Sequence, residues 1–239
     1  MECATRARHD AEPLSLIVLA HDEADTASAT LDEILAWLRQ HEPDAELIFV
    51  DDGSTDNTAA IAEAALQGYN GKVLRHGRKR GIGAAIRTGT VAAAHPWVTF
   101  MPADGQIPPE GIGILRATAA RDGVPLVLSV YVARDDGGVR TLLSWGVRTL
   151  IRLIHGVRLR CEGPYLFRRE LFDAELLKPD SFFLNFEFPI RVLRAGHPVS
   201  VAEVRCRPRM GGTSKTANLR TVLVVAHDLF DLRLRLWRE

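Results

Sequence analysis

LIFVDDGSTDNT, residues Leu47–Thr58, decides how this chain is read. An apolar run ends on two adjacent carboxylates, Asp51 and Asp52, then passes through Gly53 into hydroxyl and amide residues able to start a helix. Paired acids where a strand stops, at the open end of a parallel sheet, suit a nucleoside. Carboxylates there accept hydrogen bonds from ribose hydroxyls or a base N–H. The competing reading is that both acids merely cap the helix that follows.

Working outward, strands alternate with helical patterns. Leu14–Ala20 (LSLIVLA) is a continuous apolar run, as expected of a strand covered on both faces. Leu31, Ile34, Leu35 and Leu38 then share one helix face. Glu46–Val50, Lys72–Leu74, Trp97–Met101 and Leu126–Val132 read as further strands. Between them, Thr58–Leu66, GIGAAIRTGTVAAA and Ile112–Arg121 read as helices. This rhythm predicts an α/β fold with a doubly wound, mainly parallel sheet. Past about residue 135 it changes. RTLLSWGVRTLIRLI (Arg140–Ile154) is amphipathic, a region near 161–215 is rich in Arg, Pro and Gly, and a last helical segment runs from about Ala217 to Trp237. No repeat or linker interrupts the chain, so a single domain spanning 1–239 with a C-terminal helical elaboration is expected.

Composition narrows the function classes. At 46% apolar and 25% charged, the 239 residues match a globular protein with a substantial core. Lys+Arg and Asp+Glu both number 30, so net charge makes no case for nucleic acid. Cys3, Cys161 and Cys206 are far apart and form neither a disulfide framework nor a zinc pattern, which fits a reducing, cytoplasmic setting. The N-terminal MECATRARHDAEP lacks the apolar stretch of a signal peptide, and no apolar run approaches the ~20 residues that span a bilayer.

The strand ends also exclude two nucleotide chemistries. A dinucleotide site needs a glycine-rich turn directly after the first strand, but LIVLA leads into HDEADT. The Walker pattern is absent, and Gly81 and Gly83 alone are a weak signal. A second acidic site follows the fourth strand at Asp104 and Gln106 in MPADGQIPPE. One carboxylate, one amide oxygen, two phosphate oxygens and waters meet the octahedral oxygen preference of Mg²⁺. A plain turn at Asp104–Gly105 is the alternative.

Together these residues resemble the family 2 glycosyltransferases of the GT-A fold, especially the dolichyl-phosphate (polyprenyl-phosphate) mannosyltransferases. The likeness runs from about Leu14 to Lys215 and rests on five ordered segments: LAHDE, VDDGSTDNT, RGIGAAIRTG, PADGQIPPE and RMGGTSK. It implies a nucleotide-sugar half over about 14–135 and an acceptor half over about 136–239. It further implies that Leu19, Ala20, His21, Glu23, Asp51, Asp52, Arg80, Gly81, Ala84, Arg87, Ala103 and Asp104 bind the donor. Asp104 and Gln106 hold Mg²⁺ or Mn²⁺, with Asp52 the leading contact to base or ribose and Asp51 beside it. Arg209, Ser214 and Lys215 contact phosphate in a mobile loop. Arg140 and Ser144 match positions that hold the acceptor phosphate in the lipid-dependent branch. Three departures stand out. Pro102 replaces the first Asp of D-x-D, Val130 replaces a phosphate-binding arginine, and Asp22 replaces an Asn. With one carboxylate fewer, the metal site depends on the donor diphosphate for its remaining ligands.

The expected reaction is inverting transfer of a sugar from a UDP- or GDP-sugar to a polyprenyl phosphate. A hydroxyl acceptor needs a general base, whereas a phosphate acceptor is already anionic and needs cations to position it. The second half supplies Arg140, Arg168, Arg169, Arg207, Arg209 and Lys215 but few bases, which favours phosphate. Glu187 falls where the family has a functional acid and is the catalytic partner expected beside Asp104. Glu162 is the other carboxylate in reach. The alternatives are a soluble hydroxyl acceptor or a degenerate, non-catalytic nucleotide-sugar-binding module. The two amphipathic C-terminal helices fit peripheral contact with the cytoplasmic membrane face, closure of the core, or a homodimer interface.

Overall fold

The structure, a computed structural model, describes residues 12–132, 137–177, 180–207 and 219–238. Its sheet has seven strands: β1 (Leu14–Ala20), β2 (Glu46–Asp51), β3 (Gly71–Arg75), β4 (Trp97–Pro102), β5 (Leu126–Val132), β6 (Leu166–Arg168) and β7 (Val199–Arg205). Their spatial order is β3-β2-β1-β4-β6-β5-β7. β6 runs antiparallel between β4 and β5, and every other pairing is parallel. Among the described residues seven α-helices accompany the sheet: α1 (Ala24–His41), α2 (Thr58–Ala65), α3 (Ile82–Ala92), α4 (Glu110–Asp122), α5 (Gly137–His155), α6 (Leu184–Arg194) and α7 (Leu219–Arg238).

β1 is buried at all seven positions, as its unbroken apolar run predicts. Because alternate side chains point to opposite faces, it serves two cores. Leu14, Leu16, Val18 and Ala20 pack with Leu31, Ile34, Leu35 and Leu38 of α1. Ile17 and Leu19 face the other way, toward Ala85 and Ile86 of α3. That second core continues into an aromatic group in which fully buried Tyr165 meets Phe100 edge-on at 4.7 Å and Phe188 of α6 at 5.6 Å.

Three elements go beyond the sequence reading. β7 (VSVAEVR) buries Ala202 and Val204 while Val201, Glu203 and Arg205 are exposed, the alternation of a half-covered edge strand. β6 has three residues, too few to show any period. α6 buries Leu184, Phe188, Ile190 and Val192 over the aromatic group. Burial pushes the Cys161 thiol up to about 12, so it stays protonated and inert. Among the described residues no helix is long and apolar enough to cross a membrane.

Candidate nucleotide and metal site

The sheet reverses its strand order between β1 and β4, and the carboxyl ends of β2, β1 and β4 meet there. Ala20 pairs with Asp51, and Leu19 with Pro102. Past the ladder, Asp52 N–H donates to Ala20 O at 2.8 Å and Ala103 N–H to Leu19 O at 2.9 Å. His21, Asp51, Asp52 and Asp104 therefore leave the sheet as neighbours, in the crevice where open α/β sheets collect ligands. Leu19, Ala20 and Ala103 are buried and supply backbone there. His21 Nδ1 is buried without a hydrogen-bond partner among the described residues, an orphaned polar atom at the mouth of the crevice.

The two aspartates have different surroundings. Asp52 accepts from His76 Nδ1 at 2.7 Å, from Arg80 N–H at 2.9 Å and from Gly81 N–H at 2.8 Å. His76 is itself held by Thr88 Oγ1 at 2.9 Å. Burial by itself would raise the Asp52 carboxyl, but the bonds from His76, Arg80 and Gly81 outweigh it and hold the group below its usual range. Asp51 accepts from Ser54 N–H at 3.2 Å. The sequence expectation has Asp52 as the leading contact to base or ribose. Both its oxygens anchor the 76–81 loop, and Asp51 is the carboxylate with acceptor capacity left.

The rest of VDDGSTDNT serves a neighbour. Asp22 has φ +52, a left-handed conformation that a short polar side chain tolerates. Its carboxylate accepts from Thr55 N–H at 2.8 Å, which draws it below its usual range, and its own N–H donates to Ser54 Oγ. Glu23 N–H donates to Thr58 Oγ1 and Ala24 N–H to Asp56 Oδ2. Helix α1 begins here, and its first N–H groups need partners. The loop after β2 provides them, so the acidic segment caps α1 as well as leading into α2. Glu23 has its carbonyl engaged by Thr26 and Ala27 N–H, which makes it part of this cap.

Gly53 (φ +71) and Gly81 (φ +106) close the cleft. A Cβ on Gly53 would run into the backbone of Arg78 and Lys79, and one on Gly81 would sit 2.6 Å from Asp180 O. Asp180 O accepts from Ala84 N–H, and its carboxylate takes the Arg87 guanidinium and, at 3.4 Å, Arg80. Arg87 also donates to Leu177 O at 2.7 Å. Arg80 and Arg87, expected among the donor-binding residues, are both joined to Asp180, which the sequence reading did not single out. His76 was missed too, though its position just after a parallel strand was the signal.

Asp104 is 4% exposed, with Oδ1 accepting Gln106 N–H at 3.1 Å across a turn that Gly105 makes with φ +68. Gln106 O in turn accepts Arg207 N–H at 2.7 Å. The end of β7 is thereby fastened beside the acid, and the basic RMGGTSK segment starts two residues on. Arg209, Ser214 and Lys215 lie outside the described residues, as do the side chains of Arg140 and Ser144 on α5. Among the described residues no group of three His, Cys, Asp or Glu could hold a metal. One carboxylate and one amide oxygen nevertheless fit a hard cation that takes its other ligands from phosphate and water.

Glu187 is the carboxylate expected as the catalytic partner of Asp104. It is fully buried, with Arg235 of α7 forked across both oxygens at 2.8 and 2.9 Å and Arg191 donating at 3.0 Å. A carboxylate sealed between two guanidiniums has no route to an acceptor; it docks α7 onto α6. Glu162 is paired with Arg148 at 2.9 Å.

The family model described as "Glycosyl transferase family 2" matches residues 15–176. The undecaprenyl-phosphate 4-deoxy-4-formamido-L-arabinose transferase of Proteus mirabilis is 31% identical over 167 residues, covering 68% of this chain and 51% of that protein. The protein of the same name from Pseudomonas fluorescens is 32% identical over 167 residues, covering 68% and 49%. The chain thus spans about half the length of the curated relatives it matches. Among solved structures, glucosyl-3-phosphoglycerate synthase from Mycobacterium tuberculosis, in complex with Mn²⁺, UDP and glucosyl-3-phosphoglycerate, aligns with a TM-score of 0.70 at 21% identity, covering 96% of this chain and 81% of that one. Mannosyl-3-phosphoglycerate synthase from Rubrobacter xylanophilus aligns at 0.73 and 21%, covering 98% and 77%. At that identity the likeness is one of fold.

Proposed function

The chain belongs to glycosyl transferase family 2, and from that premise we propose that it transfers a sugar from a nucleoside diphosphate to a polyprenyl phosphate with inversion, assisted by Mg²⁺ or Mn²⁺. The observation that carries this reading is the convergence at the switch point. Asp51 and the unpartnered His21 Nδ1 stand at one side of β1, and Asp104 at the other, with Arg207 tied to its turn. The curated relatives, named as undecaprenyl-phosphate sugar transferases, support the acceptor class.

In this reading Asp51 and His21 hold the nucleoside. Asp104 and Gln106 would hold a divalent cation, which when bound would neutralise negative charge on the diphosphate. An anionic acceptor needs no proton removed, consistent with a site where Glu187 is sealed and Glu162 is paired. The cations of the basic segment after Arg207 would position the acceptor phosphate.

The test is a panel of UDP- and GDP-sugars, assayed for binding and metal-dependent turnover with and without polyprenyl phosphate. Turnover that requires the lipid phosphate is expected. Turnover only on soluble hydroxyl compounds would replace the acceptor, and donor binding without turnover on any acceptor would indicate a binding module. Asp104→Ala is expected to abolish turnover with the fold intact; near-normal activity would show the metal assignment to be wrong.

A further inference from the structure

Helices α5 and α7 pack on each other through Ile151, Leu229 and Leu232, all fully buried, and His155 Nε2 lies 3.1 Å from Leu229 O. Their outward sides are unusual. On α7, Phe230 (57% exposed), Leu234 (55%) and Trp237 (83%) recur at i, i+4 and i+7, a stripe on the side away from Leu229 and Leu232. On α5, Trp145 (61%) and Leu153 (77%) stand opposite buried Ile151. Two exposed tryptophans, a phenylalanine and two leucines on adjacent helices form more than the scattered apolar residues every surface carries.

Charge selects the occupant. Residues 137–239 hold 18 of the 30 Lys+Arg but only 10 of the 30 Asp+Glu, although the whole chain is neutral. Helix α5 contains three arginines and no acid, and exposed Arg152 lies on the same side as Trp145, seven residues on. Arg158 and Arg160, just beyond α5, and Arg233 on α7 are exposed too. Exposed Asp231 on α7 is paired with Arg235, and the exposed arginines named above outnumber it, so face-to-face pairing of two such copies would bring like charges together. Apolar side chains with indole rings, flanked by arginines, match a bilayer interface, where tryptophan favours the headgroup level and arginine favours anionic lipid.

We infer that the outward faces of α5 and α7 form a monotopic docking surface for an anionic bilayer, lying in the interface without crossing it. The inference rests on the lipid-acceptor reading, since a polyprenyl phosphate keeps its chain in the membrane and offers only its headgroup to a site at the surface.

The experiment sediments the full chain with vesicles of phosphatidylcholine alone or with about one-third phosphatidylglycerol, and follows tryptophan emission. Salt-sensitive binding to the anionic vesicles is expected, with a blue shift as Trp145 and Trp237 leave water. Phe230→Gln/Leu234→Gln/Trp237→Gln should lower the bound fraction at least tenfold, as should Trp145→Gln/Leu153→Gln, with circular dichroism and Tm unchanged. No binding by the wild-type chain, equal binding to neutral vesicles, or unaltered binding by both variants would overturn the inference. So would a dimer in sedimentation velocity that the triple variant dissociates. A parallel assay with a short, water-soluble polyprenyl phosphate and no vesicles separates the two readings. Turnover there without vesicle binding sinks the docking surface alone, and vesicle binding without turnover on either acceptor sinks the acceptor alone.

Discussion

Asp52 accepts three hydrogen bonds from the loop after β3, whereas Asp51 takes one from Ser54 among the described residues. Asp52→Ala strands the Arg80 and Gly81 N–H groups as well as His76, so a loss of about 3 kcal/mol is expected in denaturant unfolding. Asp51→Ala should change stability by less than about 1 kcal/mol yet weaken donor binding tenfold or more, read by calorimetric titration. The Asp52 carboxyl is depressed below its usual 3.8, so its stabilisation is present above that value and fades as pH falls through the lower folded-state value. Asp52→Asn should therefore flatten the acid limb of the stability profile, with unfolding midpoints measured from neutral pH down into that range. The sequence marks both acids as a site. It cannot say which of the two the 76–81 loop will occupy, because that loop lies more than twenty residues away.

Elements show the same division. The unbroken apolar runs of β1 and β2 and the period-3.6 patterns of α1 and α4 are legible because the strands are covered on both faces and each helix buries one regular face. The half-covered β7 and the three-residue β6 were not, since one mixes charges into its alternation and the other is too short. Glu187 on α6 reads as a functional acid until α7 supplies Arg235. Glu187→Gln removes the charge between two guanidiniums and is expected to cost about 3 kcal/mol, with a matching fall in Tm. Any effect on kcat of the folded fraction should be small; a large kcat loss at unchanged Tm would restore a catalytic role. Gly53→Ala meets both a left-handed backbone and the chain at Arg78, so it should destabilise by about 2 kcal/mol or more.

Across the whole molecule, an acidic N-terminal half sits on a basic C-terminal half in a chain of no net charge. The proposed cation site follows the same economy of charge, since among the described residues no cluster of three His, Cys, Asp or Glu could hold a metal. In the proposed mechanism the diphosphate completes that site. Chelation with EDTA should therefore leave the Tm of the unliganded protein unchanged while abolishing the Tm gain on adding the donor, measured by scanning fluorimetry. A Tm loss on chelation alone would point to a metal held by the protein itself.

What the sequence by itself determined is the alternation of strands and helices, the family-like segments, and the placing of acids at strand ends. Each follows from local periodicity and short motifs, which are complete within a few residues. Only the tertiary structure decided that Asp52 anchors a loop while Asp51 stays available, that VDDGSTDNT caps α1, that Asp180 takes Arg80 and Arg87, and that Glu187 is sealed. Those outcomes depend on which distant donor arrives at each carboxylate, and a polar group takes whichever partner burial brings within hydrogen-bond reach.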